Sequence, residues 1–367
     1  MSTASSAPVF HDKLYTLDIA LDPQRMRQTF AFLVHEHWGE SFEVRNLEIE
    51  VIRRRNQRCV IRYRVEALDT ATRRKCEWRV IGKVYKAKRG ERVFETMQQL
   101  WRNGFARDAA DGVSIPEPLY FSSSLCMLFQ EEVPGLPVKT LIKQAPNPSH
   151  FRQLARTIAK LHRCALVPDQ QFLVKDHLLR CHPRYPFLEL ACPELENRIE
   201  YIVQTVQKIE TDLIRSARLT PIHGDFHLGQ IHLENGCAWL IDFDALGHGD
   251  PASDLGNVLV FLRGKIKKNP GVVELIHAFL NEYFSTMDRD IANRILLYEG
   301  LTHLRRACKC LRLQEEGWRR RVNRMVDDGV ACIEEMKNNG WTADRYLFGR
   351  DADEEYHDLE EAEAGVH

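Results

Sequence analysis

The 367 residues carry 51 basic and 52 acidic side chains, a formal charge of −1, and 44% of them are hydrophobic. That balance argues against a nucleic acid or a membrane surface as partner, and the length allows one large core or two moderate ones. No uninterrupted run of about 18 apolar residues occurs, which excludes a spanning helix.

In chain order, residues 1–40 read as an N-terminal extension with a loose polar start and one helix. Met26, Phe30, Leu33 and Val34 recur at helical spacing between Asp22 and Trp38. Residues 41–132 then read as a small lobe rich in strands. Leu47, Ile49 and Val51 alternate with acids, and Ile61, Tyr63 and Val65 alternate with Arg62 and Arg64, so the two runs predict a hairpin with one buried face. A third strand covers Trp78–Tyr85, a helix follows over Arg89–Asn103, and short strands fit Pro118–Phe121 and Leu125–Gln130. The run Val133-Pro134-Gly135-Leu136-Pro137 breaks regular structure and closes this lobe.

Residues 133–340 read as mainly helical. Leu154, Ile158 and Leu161 form one amphipathic stripe, and helices are predicted over Leu195–Leu213, Leu255–Arg263, Val272–Tyr283, Ile291–Leu313 and Trp318–Lys337. A short hairpin near 231–243 is set among them. Residues 341–367 form an acidic tail, with eight acids among the last seventeen residues and few apolar anchors, so it is expected to be disordered.

The helical half holds one strand-rich island. It reads His223-Gly224-Asp225-Phe226-His227-Leu228-Gly229-Gln230, then Ile241-Asp242-Phe243-Asp244. A short apolar strand that delivers an acid, followed by a turn and a second strand that delivers another, can place a base and a metal ligand beside one phosphoryl group. Lys83 is a lone cation on a strand otherwise filled with apolar and aromatic residues, and the helix after it bears Glu91 and Glu95.

With these residues the chain resembles the aminoglycoside phosphotransferase and kinase-like family of small-molecule kinases, from roughly Phe42 to Glu334. Gln230 stands where most of that family has Asn, a spelling most similar to the maltokinase and related sugar-kinase branch. The resemblance implies an α+β, two-lobed protein-kinase-like fold, with a small antiparallel-sheet lobe and a larger helical one. It implies ATP and Mg2+ as cofactors and a hydroxyl of a small polar molecule as acceptor: a sugar, aminosugar, aminoglycoside or amino alcohol. Asp225 becomes the base, and Asp242 and Gln230 become the metal ligands. Lys83 positions the phosphates, with Glu95 favoured over Glu91 as its partner on helix register. Backbone groups around Glu131 and Val133 read the purine edge. His223 and His227 brace the catalytic loop, Asp254 accepts hydrogen bonds from its backbone, and Asp244 contacts metal or acceptor or is a solvated loop acid.

Two other readings stand beside this one. A protein kinase is disfavoured, since HGDFH lacks the HRD arginine and no long activation segment follows Asp242. A kinase-like module that holds nucleotide or a partner without turnover draws support from Gln230 and from the glycine-free turn Arg54–Arg58. Ten cysteines without a CxxC knuckle, in a chain lacking a charged-apolar-small leader, predict free thiols and a cytoplasmic setting. His35-Glu36-His37 does not form a metal site, because positions i and i+2 diverge around a helix. Arg305-Arg306, Arg319-Arg320-Arg321 and Arg324 are expected on a solvated helix face, and Glu299 and Asp244 are acids within the lobe that meets the acceptor.

Overall fold

The computed structural model describes residues 14–55, 57–86, 89–213, 218–266 and 269–339. They fall into two compact units that divide between Pro134 and Gly135. The polar start, the acidic tail and Asn56 of the expected hairpin turn lie outside the described residues.

The first unit is built on five strands, in the spatial order Phe42–Arg55, Arg58–Asp69, Lys75–Tyr85, Met127–Glu131 and Pro118–Ser122. All neighbours pair antiparallel. The second strand shows the period of two: Cys59, Ile61, Tyr63, Val65 and Ala67 are buried, while Arg64 and Glu66 between them are exposed. Helix Pro23–Trp38 covers this face with Met26, Phe30, Leu33 and Val34, and the Phe30 ring stands 4.8 Å from Tyr63. Full burial of a side chain such as Phe30 stabilises by about 1.5–3 kcal/mol. The helix starts where it does because Asp22 accepts from the amides of Gln24 and Arg25 and Pro23 needs no donor partner there.

The first strand departs from the expected alternation. Leu47 is buried, but Val51 is 45% exposed. Register shifts between Val44 and Asn46 and between Val51 and Arg53 interrupt the pleat on this edge strand, so its two faces do not keep one partner each. The helix predicted to reach Asn103 ends its regular part at Leu100, and the chain leaves through non-helical Asn103 and Gly104.

The second unit is mainly helical. Helix Pro148–Arg163 packs on Val272–Phe284, Ala252–Arg263 packs on Ile295–Leu313, and Trp318–Asn339 lies against both Ile295–Leu313 and Glu196–Leu213. The helix expected from Ile291 starts at Ile295, because a tighter turn over Arg289–Arg294, capped by Asp288, precedes it. Gly256 sits where two helices meet: an added Cβ would stand 2.9 Å from the Glu299 nitrogen, so only glycine permits this approach. The hairpin Ile231–Glu234 and Cys237–Leu240 gains a third strand, Leu136–Pro137. A second small sheet joins Gln171–Phe172, Gly247–Gly249 and Thr220–Ile222. Strands of two or three residues are too short to carry a readable period, which is why this sheet escapes sequence patterning.

No described helix is long and apolar enough to cross a membrane, and all ten cysteines are free.

Candidate active site

The strand Thr220–Ile222 delivers the chain to His223, and Gly224 turns it. Gly224 has φ +75°, and a Cβ there would lie 2.3 Å from the Ala245 carbonyl oxygen. Both the left-handed backbone and the space demand glycine. The turn is held from below by Asp254, in the first turn of helix Ala252–Arg263. One carboxylate oxygen accepts from the His223 amide at 2.6 Å and the other from the Gly224 amide at 2.8 Å. His162 Nε2 meets the same carboxylate at 3.1 Å, and His162 Nδ1 lies 2.8 Å from the Tyr283 hydroxyl. Burial, with Asp254 and Asp250 nearby, pushes the Tyr283 phenol well above its usual range, so it donates to His162. Burial acts to raise the Asp254 pKa, but the His162 hydrogen bond and charge, with His223, outweigh it and hold the carboxylate below its ordinary value.

Asp250 fixes the same helix start. It accepts from the Ala252 amide at 3.0 Å and from Arg294 Nε at 2.6 Å in a buried pair.

The loop beyond Gly224 is tied at further points. His223 Nε2–H donates to the Ile241 carbonyl at 2.9 Å, which leaves Nδ1 to accept from the Asp225 amide at 3.4 Å. His227 Nδ1 accepts from Gly229 at 3.0 Å, and Asn257 Nδ2 donates to the Phe226 carbonyl at 2.7 Å. Asp225 therefore projects from a loop whose backbone is anchored on both sides. Burial raises its pKa, yet the charges of His227, Arg305, Arg180 and His223 together outweigh burial and keep it below the usual carboxylate value. Such a group is ionised at neutral pH and is a weak base, which suits a loose phosphoryl transfer that asks mainly for orientation of the acceptor hydroxyl.

Gln230 and Asp242 flank the hairpin, whose Asn235-Gly236 turn has both residues at positive φ, 49° and 81°. The Ile241 amide donates to the Gln230 carbonyl at 2.9 Å, which sets the two residues across from each other, and Gln230 Nε2 stands 3.5 Å from Asp242 Oδ2. Asp242 holds φ +70° and ψ +67°, a left-handed conformation that costs a non-glycine residue roughly 1–2 kcal/mol. Asp244 follows on the tight turn Phe243–Ala245 and is partly buried. The donor set fits Mg2+, a hard ion that takes one or two protein oxygens and keeps its other positions for water and phosphate. A turn of the Gln230 carboxamide brings Oε1 where Nε2 now faces Asp242. Among the described residues no cluster of three or more His, Cys, Asp or Glu forms a metal site.

In the first unit, Lys83 is 6% exposed on the third strand, opposite Val60 on one side and Leu128 on the other. Glu95 and Glu91 are exposed on helix Arg89–Leu100. That helix turns Gly90, Val93, Met97 and Leu100 inward, and both glutamates fall on its other face. The Glu131 amide donates to the Glu117 carbonyl and the Glu132 amide to the Arg79 carbonyl, so both serve the sheet. Val133 follows beyond the strand end. His37 stacks on Trp78 at 4.4 Å, a packing role for the His-Glu-His run.

Several residues that no local motif marks complete the second unit's site: His162, Tyr283, Asn257, Arg180, His177 and Arg305. Gly224, Ser253, Asn257, Thr302, Arg305 and His177 line a pocket beside the Asp225 loop. Arg305 was expected on a solvated face; it is instead partly buried and donates to Asn257 Oδ1. Glu299, expected near the acceptor, is fully buried and paired with Arg263 at 2.9 Å, where its charge is already matched.

The model of the phosphotransferase enzyme family matches residues 65–290, more than half of the chain. The chain belongs to this family. No curated protein matches it by sequence. Among solved structures, a choline/ethanolamine kinase family protein from Mesorhizobium loti is 13% identical, with TM-score 0.53, over 82% of this chain and 91% of that one. A thermostable mutant of an aminoglycoside phosphotransferase is 12% identical, with TM-score 0.54, over 84% and 100%. An amicoumacin kinase, solved with AMP-PNP and Ca2+, is 14% identical, with TM-score 0.53, over 86% and 96%. At these identities the likeness is one of fold: a kinase-like arrangement with an antiparallel N-terminal sheet and a mainly helical C-terminal part. The matched segment contains Lys83, Asp225, Gln230, Asp242 and Asp254, and it ends before Arg305.

Proposed function

We propose that this chain is an ATP-dependent small-molecule kinase, which transfers the γ-phosphoryl group to a hydroxyl of a small polar acceptor. The observation that carries this is the anchored loop: Asp225, with its amide neighbours bound by Asp254, sits one strand away from the facing pair Gln230 and Asp242. Family membership and the kinase-like fold support it, as does the nucleotide analogue and divalent ion in the amicoumacin kinase structure.

Asp225 accepts the hydroxyl proton and orients the oxygen for in-line attack. Its own backbone cannot drift, because His223, Gly224, Phe226 and Gly229 are each hydrogen-bonded. Asp242 and Gln230 are the residues that would hold Mg2+, which when bound neutralises charge on the phosphate oxygens. Lys83 is the cation of the first unit assigned to the nucleotide phosphates, and the Glu131–Val133 backbone is assigned to the purine edge. Glu95 stays in the proposal as a partner that reaches Lys83 only on nucleotide binding. Ten free thiols fit a cytoplasmic enzyme.

The test is incubation with Mg-ATP and pooled sugars, aminosugars, aminoglycosides and amino alcohols, with mass spectrometry for the gain of one phosphoryl group. Asp225→Ala should lower transfer by roughly 10²–10⁴-fold while nucleotide binding survives. Unchanged transfer in that variant removes the mechanism. Nucleotide binding with no acceptor ever modified favours the non-catalytic module.

A further inference from the structure

The pocket against the Asp225 loop is basic, and the base itself does not explain why. Arg305 comes from helix Ile295–Leu313 and donates to Asn257, whose amide in turn donates to the Phe226 carbonyl at 2.7 Å. One asparagine thus locks a guanidinium to the catalytic loop. Arg180 approaches from the other side: its Nη1 lies 3.4 Å from where a Cβ on Gly224 would stand, and its guanidinium is 5.2 Å from the Phe172 ring centre. Both arginines are close enough to depress the Asp225 pKa.

His177 lies near both. Its Nε2 is buried with no hydrogen-bond partner among the described residues, and its ring packs edge-on to Tyr298 at 5.2 Å. Burial, followed by Arg180 and Arg305, lowers its pKa to about 3, so the imidazole is neutral and offers a hydrogen bond without a charge. A buried polar atom left unsatisfied by the protein calls for a partner, an ordered water or a group of a ligand. The Thr302 side chain lines the same wall.

No Asp or Glu is among the lining residues. The carboxylates nearby are committed: Asp254 to two amides and His162, and Glu299 to Arg263. Among the described residues that line this pocket none is acidic, and the Asp225 carboxylate against two guanidiniums is a poor host for an ammonium group. We infer that the acceptor is anionic, a hydroxylated small molecule bearing a carboxylate or phosphate: an oxygen of its charged group enters this narrow pocket beside Arg305, with Arg180 close to the same loop, and its hydroxyl is thereby set on Asp225. Planar guanidiniums suit either oxyanion, through paired N–H donors. Arg305 lies beyond residues 65–290, so the feature is not part of what the family model matches. The inference rests on the kinase reading of the same site.

The experiment uses the full chain with Mg-ATP and three acceptor pools matched in size: hydroxy acids with sugar phosphates, neutral sugars with polyols, and aminosugars with amino alcohols. Phosphoryl gain is expected in the first pool, and separate assays of gluconate and glucose 6-phosphate distinguish carboxylate from phosphate. Arg305→Met should raise the acceptor KM by about 10–100-fold with the ATP KM unchanged, and Arg305→Lys should recover part of it. Preference for the neutral or amino pool overturns the inference but leaves the kinase. So does a rise in the ATP KM alone, which would assign Arg305 to the nucleotide. Calorimetry on nucleotide-free protein with gluconate and glucose 6-phosphate provides the separate readout. Arg305-dependent binding without any transfer keeps the anion site and sinks the kinase reading, whereas no difference between native protein and Arg305→Met removes the anion site.

Discussion

Replacing Asp254 by alanine should unfold the site from beneath. The side chain is 1% exposed, and its two oxygens satisfy the amides of His223 and Gly224 and one ring nitrogen of His162. Alanine leaves three buried donors without a partner. Each such loss costs about 1–3 kcal/mol, and breaking a buried charged network by removing one member costs about 3–5 kcal/mol, so the expected destabilisation is ~3–5 kcal/mol. Against a typical total of about 5–15 kcal/mol this is severe but survivable. Guanidinium unfolding at neutral pH measures it. Asp254→Asn keeps one accepting oxygen and turns an NH2 toward the other donor, so it should fall between. The carboxylate has a depressed folded pKa, so its contribution is present above its ordinary value and is lost as pH falls through the lower folded value. The gap between native protein and Asp254→Ala should therefore narrow on acidification below about pH 4. Turnover should fall with stability, since the amides that Asp254 holds are those that aim Asp225. A loss below ~0.5 kcal/mol would refute the claim that this carboxylate organises the loop.

Three further outcomes follow from the same geometry. Gly224→Ala adds a left-handed strain of roughly 1–2 kcal/mol and a contact with the Ala245 carbonyl that cannot persist at 2.3 Å, so unfolding should come earlier and transfer should drop; native-like values for both would remove the argument. Arg294→Met removes the partner of the buried Asp250 side chain and should cost about 3–5 kcal/mol, while adding Asp250→Asn should recover part of that; strictly additive losses would deny the coupling. His177→Gln should change the pH slope of stability. The folded His177 stays neutral down to about pH 3 while the unfolded chain binds its proton below 6.5, so native protein loses ~1.4 kcal/mol per pH unit across that window and the variant does not. Parallel curves between pH 7 and 5 would contradict the burial of that ring.

Much of this fold was legible because its long elements repeat. Met26, Phe30, Leu33 and Val34 announce one helix face, and Ile61, Tyr63 and Val65 announce one strand face, and each set is buried as a set. The loop from His223 to Gln230 was legible for another reason: a left-handed glycine and side chains that bind the loop backbone fall within eight positions. What escaped was brought together by packing. His162 and Tyr283 sit on different helices 121 positions apart, yet meet at 2.8 Å beneath the loop. Glu95 was chosen on helix register alone, and that register leaves it exposed, with Val93 and Met97 on the inward face.

Arg305 shows which signal was available and unused. Charged residues near a helix end ordinarily mean solvent, and Arg305-Arg306 fits that expectation when only the local run is considered. Yet from Ile295 to Leu304 every residue of the helix is buried, Glu299 and His303 included. A helix surrounded on all sides leaves no solvated face for its polar residues, so each of them must meet a partner or a ligand. Glu299 meets Arg263, and Arg305, one residue past the fully buried stretch, meets Asn257 and the pocket. The near-continuous apolar run around these charges, rather than the charges themselves, was the mark of a buried wall whose polar residues are partnered. On the inferred anion site, variation at Arg305 with the HGDFH motif untouched should be enough to change which acceptor is used, and an unchanged acceptor preference in Arg305→Met would refute it.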